Sequence, residues 1–166
     1  RPAITLVQAL AKGDRDELAV QAATELGVDR VVPWAAARSI SRWEGPKVAK
    51  GRDRWASIVR EAAKQSIRAW VPAVSELATT ADIVSFCAHA RVLVLEPDAP
   101  EPLTGVRPDE RELVLVVGPE GGIAPQELDA LRQAGAELVR LGDTVLRTST
   151  AGPAALAVLN ASLGRW

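Results

Sequence analysis

The chain has 166 residues, 48% of them hydrophobic and 25% charged, with a formal net charge of −1. This is globular composition with room for one domain and a sizeable core, and it excludes a protein that coats nucleic acid along its whole length. The single cysteine, Cys87, excludes an intramolecular disulfide framework and a cysteine-cluster zinc site. No apolar run has the length of a membrane span and no signal peptide is evident, so neither metal nor membrane is expected and the expected compartment is cytoplasmic.

The pattern opens as a βαβ unit. Ala3 to Leu10 reads as a strand ending at Lys12-Gly13, and Asp14 with Glu17 three residues on reads as a capping-box variant. A helix over 15–26 places Leu18, Ala22 and Leu26 at helical spacing, Gly27 closes it, and Val28 to Trp34 is the second strand. Ala35 to Gly51 has no clear period and reads as a long basic loop containing Trp43.

A helix is predicted over 53–69, with Trp55, Ile58, Val59, Ala62, Ser66 and Ile67 on its apolar stripe. Arg60, Lys64 and Arg68 recur every four residues on another face. Between Arg38 and Arg68 there are nine bases against three acids, whereas acids outnumber bases from Glu76 onward. The basicity is local, which suits one polyanion-facing patch; Lys12, Arg38, Arg60, Lys64, Gln65 and Arg68 are the RNA-binding candidates, against the alternative of solvated loop and helix faces.

Val71 to Glu76 is a short extended piece, and Thr79-Thr80-Ala81-Asp82 opens a helix running to about His89. Cys87 within it reads as a structural thiol, and His89, the only histidine, lies far in sequence from the glycine turns. Arg91 to Leu95 is a buried-type strand ending in the turn Leu95-Glu96-Pro97, and Pro100 to Glu112 reads as a surface connection.

Leu113 to Val117 is wholly apolar and rich in β-branched valine, as a buried parallel strand should be. Gly118-Pro119-Glu120-Gly121-Gly122 breaks it with a turn that presents backbone, and a helix follows from Ala124 to Gln133, stopped by Gly135. Glu137 to Leu141 is the next strand, broken at Gly142-Asp143. Val145-Leu146-Arg147-Thr148 then leads into a final helix from about Ala151 to Leu163. The whole predicts an α/β fold of about six mostly parallel strands with helices on both faces, and the two glycine turns at consecutive strand ends mark one pocket.

Gly118-Pro119-Glu120-Gly121-Gly122 with Glu127, then Leu141-Gly142, Leu146-Arg147-Thr148 and Ala151, resembles the signature of the SPOUT (trefoil-knot) methyltransferases. Most closely it resembles the RsmE-type 16S rRNA (uracil-N3) methyltransferases. The likeness extends to Lys12-Gly13-Asp14-Arg15, Ala23 to Val28, Arg38-Ser39 and Glu61 to Arg68, nearly the whole chain. It implies a C-terminal trefoil knot, S-adenosylmethionine as cofactor, and a homodimer that completes each site. It also implies 16S rRNA in the 30S subunit as partner, and an N-terminal β-rich RNA-binding domain absent here, residues 1–166 being the catalytic domain; the opening Arg1-Pro2 reads as a fragment's start.

By position, the resemblance implies that Gly118, Pro119, Glu120, Gly121, Gly122, Leu141, Gly142, Val145, Leu146, Arg147 and Thr148 bind the cofactor, closed by Leu95, Glu96 and Pro97. Arg147 is the catalytic candidate, as the cation for negative charge developing on uracil, with Arg68 or Arg38 as a second cation and Glu120 as base or orienting group. The chain departs from the family at Ala22, where a lysine is usual, and at Ser149, where the motif Leu-Arg-Thr-Glu-Thr-Ala has glutamate. Two other readings remain: a knotted methyltransferase acting on a ribose 2′-hydroxyl or another base of rRNA or tRNA, and a non-catalytic RNA- or nucleotide-binding module.

Overall fold

Six strands form one wholly parallel sheet in a computed structural model that describes residues 1–166. They are β1 (Ile4–Ala9), β2 (Arg30–Trp34), β3 (Ala73–Val74), β4 (Arg91–Leu95), β5 (Leu113–Val117) and β6 (Glu137–Val139), in the order β3-β2-β1-β5-β4-β6. β1 and β5 are central and every residue of both is buried, which is why β5 reads as a continuous apolar run and β1 as one interrupted only by Thr5 and Gln8.

Helices cover both faces, as the sequence predicts. Leu6, Leu115 and Val117 share one core with Val20 of α1 (Arg15–Glu25), Trp55 and Val59 of α2 (Pro46–Gln65) and Leu156 and Leu159 of α5 (Thr148–Ser162). On the other face Val7, Val114 and Val116 pack with Ile83 of α3 (Thr80–Phe86) and Leu131 of α4 (Pro125–Gln133). Each large apolar side chain so buried contributes about 1.5–3 kcal/mol. No helix is long and apolar enough to cross a membrane.

Several boundaries and faces differ from the sequence reading. Asp14 does not cap α1: its backbone lies at φ −106°, ψ 12°, outside the extended geometry that aims a cap side chain, and it makes no cap hydrogen bond. The buried face of α1 is Asp16, Ala19, Val20, Ala23 and Thr24, while Leu18 is 47% exposed, because the helix packs between α2 and α5 through small residues. The 35–51 segment is not all loop. Gly45, at φ 55°, turns the chain, and α2 begins at Pro46 in the first turn, where its missing N–H is harmless.

Gly51 therefore lies inside a helix, and the reason is steric: a Cβ there would fall 2.4 Å from the Trp43 ring. Trp43 meets Trp55 edge-on at 5.7 Å and so pins the basic segment to α2. α2 also ends early, at Gln65. Ile67 takes φ 58° as the helix closes, is 91% exposed and does not belong to the apolar stripe. The 100–112 connection is only partly superficial, since Leu103, in a 3₁₀ turn, and Val106 enter the core. The last strand stops at Val139 and α5 starts at Thr148, three residues before the predicted start.

Candidate active site

The turn after β5 needs its glycines for two different reasons. A Cβ on Gly118 would lie 2.6 Å from Ile123 Cγ1, so only glycine lets Ile123 fold back over the strand end. Gly122 takes φ +79° and donates its N–H to the Pro119 carbonyl at 2.9 Å, closing the turn. The Leu141–Thr148 segment returns to this turn from the far edge of the sheet. Thr148 Oγ1 donates to the Gly118 carbonyl at 2.7 Å and accepts from Gln8 Nε2 of β1 at 2.9 Å.

The two turns and the end of β4 enclose a cavity of about 340 Å³. It is lined by Leu95, Glu96 and Pro97, by Gly118, Pro119, Glu120 and Gly122, and by Leu141, Val145, Leu146, Arg147 and Thr148, all sequence-predicted. Gly121 and Gly142 are the two cofactor candidates that do not line it. Gly121 instead faces Arg38, whose Nη1 donates to its carbonyl at 3.2 Å, and Gly142 takes φ +63° to reverse the chain. The sequence reading missed Arg15, Val117, Ile123, Thr144 and Ala151 in the lining. The lone amide Gln8 in an apolar strand was a legible signal that it did not use.

Arg147 lies at the cavity wall, exposed, with no ion pair and no hydrogen bond from its guanidinium, so its charge is available to a ligand. Glu120 differs. Its Oε1 accepts from the Lys12 N–H at 2.8 Å and from Arg15 Nη1 at 3.3 Å. Burial alone would raise its pKa, but the amides of Glu120 and Lys12 and the Arg15 guanidinium outweigh this and hold it below the usual carboxylate value. That makes Glu120 a weak proton acceptor and a good strut between the Lys12 loop and the glycine turn.

Two further carboxylates brace the surroundings. Buried Glu127 accepts from the Ala37 N–H at 3.1 Å and from Thr80 Oγ1 at 2.6 Å, which fixes the start of the basic segment bearing Arg38. Asp16 accepts from the Ala11 N–H at 3.1 Å, and burial pushes its pKa up to about 6.

Of the RNA-binding candidates, Lys12 and Arg38 lie beside the glycine turn. Arg60, Lys64, Gln65 and Arg68 do not. α2 has 20 residues, about 30 Å of helix, and its end lies where Arg68 Nη1 reaches the carbonyls of Thr24 and Val28, at the amino ends of the strands. The cavity is at their carboxyl ends. Arg68 is thus no second cation for this cavity, and because α2 stops at Gln65 it is not the third step of a helical ridge either. Cys87 is half-buried, with its thiol pushed up by burial, and His89 is exposed on the α3 side; neither lines the cavity. No three His, Cys, Asp or Glu side chains converge as a metal ligand set.

Comparison with known proteins gives this geometry its context. A ribosomal RNA small subunit methyltransferase E from Mycobacterium bovis is 48% identical over 172 residues, covering 100% of this chain and 66% of the relative. One of that name from Bacillus subtilis is 31% identical over 166 residues, covering 95% and 65%. A Neisseria gonorrhoeae protein of the same name, solved bound to S-adenosyl methionine, superposes with a TM-score of 0.89 at 33% identity, over 96% of this chain and 66% of that one. The chain thus spans about two thirds of the length of the relatives it matches. Residues 1–160 match the family model for the RNA methyltransferase domain. With a cavity walled by two glycine turns at the carboxyl edge of a parallel sheet, the chain belongs to the RNA methyltransferase domain family.

Proposed function

We propose that this domain carries the catalytic site of an S-adenosylmethionine-dependent methyltransferase acting on N3 of a uridine in 16S rRNA of the small ribosomal subunit, in the cytoplasm. The observation that carries the reading is the Thr148–Gly118 hydrogen bond, which joins the two turns around a cavity bordered by the unpaired Arg147. The relatives' shared name and the cofactor bound in the Neisseria gonorrhoeae protein support the substrate and cofactor.

The lining fits the cofactor. About 340 Å³ suffices for a nucleoside with a short side chain; Leu95, Ile123, Leu141 and Leu146 offer apolar surface, and the glycine turn offers main-chain groups at close approach. S-adenosylmethionine supplies an electrophilic methyl group on a sulfonium, so no covalent enzyme intermediate is needed. The chain's residues hold uracil N3 in line with that methyl. Methyl transfer requires N3 to lose its proton, and Arg147 would stabilise the negative charge that this loss spreads over the flanking carbonyl oxygens. Glu120 keeps the Lys12 loop and Arg15 against the turn.

The homodimer, the trefoil threading and the additional RNA-binding domain belong to the same proposal. Val145, 78% exposed beside the cavity, offers apolar surface for a second copy, and the return of the 141–148 segment to Gly118 suits a knotted chain. The test is incubation with 30S subunits lacking the modification and isotopically labelled S-adenosylmethionine, followed by mass spectrometry of the nucleosides. Labelled 3-methyluridine is expected; a 2′-O-methylated product, or a label on another base, contradicts the assignment.

A further inference from the structure

Gln8 is the only amide side chain in β1 and is wholly buried, in register with Pro33 of β2 and Val117 of β5. Its Nε2 donates to Thr148 Oγ1 at 2.9 Å and lies 3.4 Å from the Thr148 carbonyl, while its Oε1, equally buried, has no partner. An unmet buried acceptor is unfavourable by about 1–3 kcal/mol, and a methionine of similar length would avoid it. For folding alone, Gln8 is a poor choice of residue.

What the amide does is set a direction. The Thr148 hydroxyl has one proton and two lone pairs, and once a lone pair is occupied by Gln8 Nε2 its proton is aimed at the Gly118 carbonyl, 2.7 Å away. Without Gln8 the hydroxyl keeps the Gly118 carbonyl as its acceptor but loses the donor that anchors it to β1, so the link between the two turns is held from one side only. Gln8 itself does not line the cavity, whereas Gly118, Arg147 and Thr148 do.

We propose that Gln8 is a positioning residue for the cofactor cavity: through Thr148 it clamps the 141–148 segment onto the glycine turn and sets the position of Arg147. This rests on the methyltransferase reading for its functional consequence, but the clamp is measurable without it.

The test compares the native chain with Gln8→Met, Thr148→Val and the double variant by thermal unfolding, amide hydrogen exchange and titration with S-adenosylmethionine. Gln8→Met is expected to unfold at the native temperature or above. Exchange at amides 142–147 is expected to accelerate, with the central strands unchanged, and cofactor affinity to fall about tenfold, equivalent to about 1.4 kcal/mol. The double variant should bind no more weakly than the weaker single variant, because both break one link. Gln8→Met with native loop exchange and native affinity overturns the proposal, as do single-variant losses that simply add. Thr148→Val tests the link without touching the sheet should Gln8→Met fail to fold. If the native chain binds no S-adenosylmethionine, the methyltransferase reading fails, and the exchange data alone then decide the clamp.

Discussion

Arg68 Nη1 donates to the Thr24 carbonyl at 3.0 Å and to the Val28 carbonyl at 2.7 Å, so one guanidinium ties the end of α2 to the last turn of α1 and the approach to β2. It adds a second donor to the Thr24 carbonyl, which already accepts the Gly27 N–H, and places positive charge at the negative end of α1. Arg68→Ala is expected to reduce unfolding free energy by about 1.5–3 kcal/mol, with RNA affinity at constant fold unchanged. Urea unfolding and an RNA-binding titration check the two halves.

Ile67, next to it, is a β-branched residue at φ 58°, where its side chain is strained, and it is 91% exposed, so little packing compensates. Its position is where a helix end normally takes glycine, with the Arg68 N–H bonded back to the Ala63 carbonyl. Ile67→Gly is expected to stabilise the domain by about 1 kcal/mol, seen as a raised denaturation midpoint at unchanged slope. An unchanged or lowered midpoint would mean that the exposed side chain makes a contribution outweighing the strain.

Asp16 gives the fold a pH dependence of definite sign. Burial raises its folded-state pKa from 3.8 to about 6, although the amides of Ala11 and Glu17 partly offset this. Between those two values the native state holds more protons on this group than the unfolded state, so its contribution to stability falls as pH rises through the window and is at its least favourable above about 6. Asp16→Asn retains an oxygen to accept the Ala11 N–H and should flatten the stability profile across this window. A variant profile parallel to the native one would contradict the assignment.

The Arg147 guanidinium makes no hydrogen bond or ion pair in the protein, so truncating the side chain breaks none. Arg147→Ala is expected to lower kcat by about 10²–10³-fold, the scale of losing one charge-stabilising donor, with unfolding temperature unchanged. Single-turnover methyl transfer to 30S subunits reads this directly; an undiminished rate would remove Arg147 from the chemistry.

The sheet and the cavity were legible in the sequence for a common reason. Buried parallel strands such as Leu113–Val117 are written as unbroken apolar runs of valine and leucine, and the turns that end them need glycine at particular positions, as Gly118 and Gly122 do. The misread parts depend on tertiary partners. Gly51 looked like a break because the Trp43 ring that fills its missing side chain comes from outside the helix. The basic ridge looked continuous because nothing local to Arg68 reveals that α2 stops at Gln65 and that Thr24 and Val28 claim its guanidinium. Gly118 and Gly121 belong to the same turn, but a side chain on Gly118 would meet Ile123 and one on Gly121 would meet Arg38.

That last difference makes the decisive measurement a contrast between two glycines. Titration calorimetry of the native chain with S-adenosylmethionine should show saturable binding at one site per chain. Gly118→Ala, whose Cβ would fall 2.6 Å from Ile123, should lose that binding, while Gly121→Ala, with only an ordinary 3.7 Å contact to Arg38, should keep it. No binding by the folded native chain, or binding insensitive to Gly118→Ala, would contradict the placement of the cofactor between the two turns.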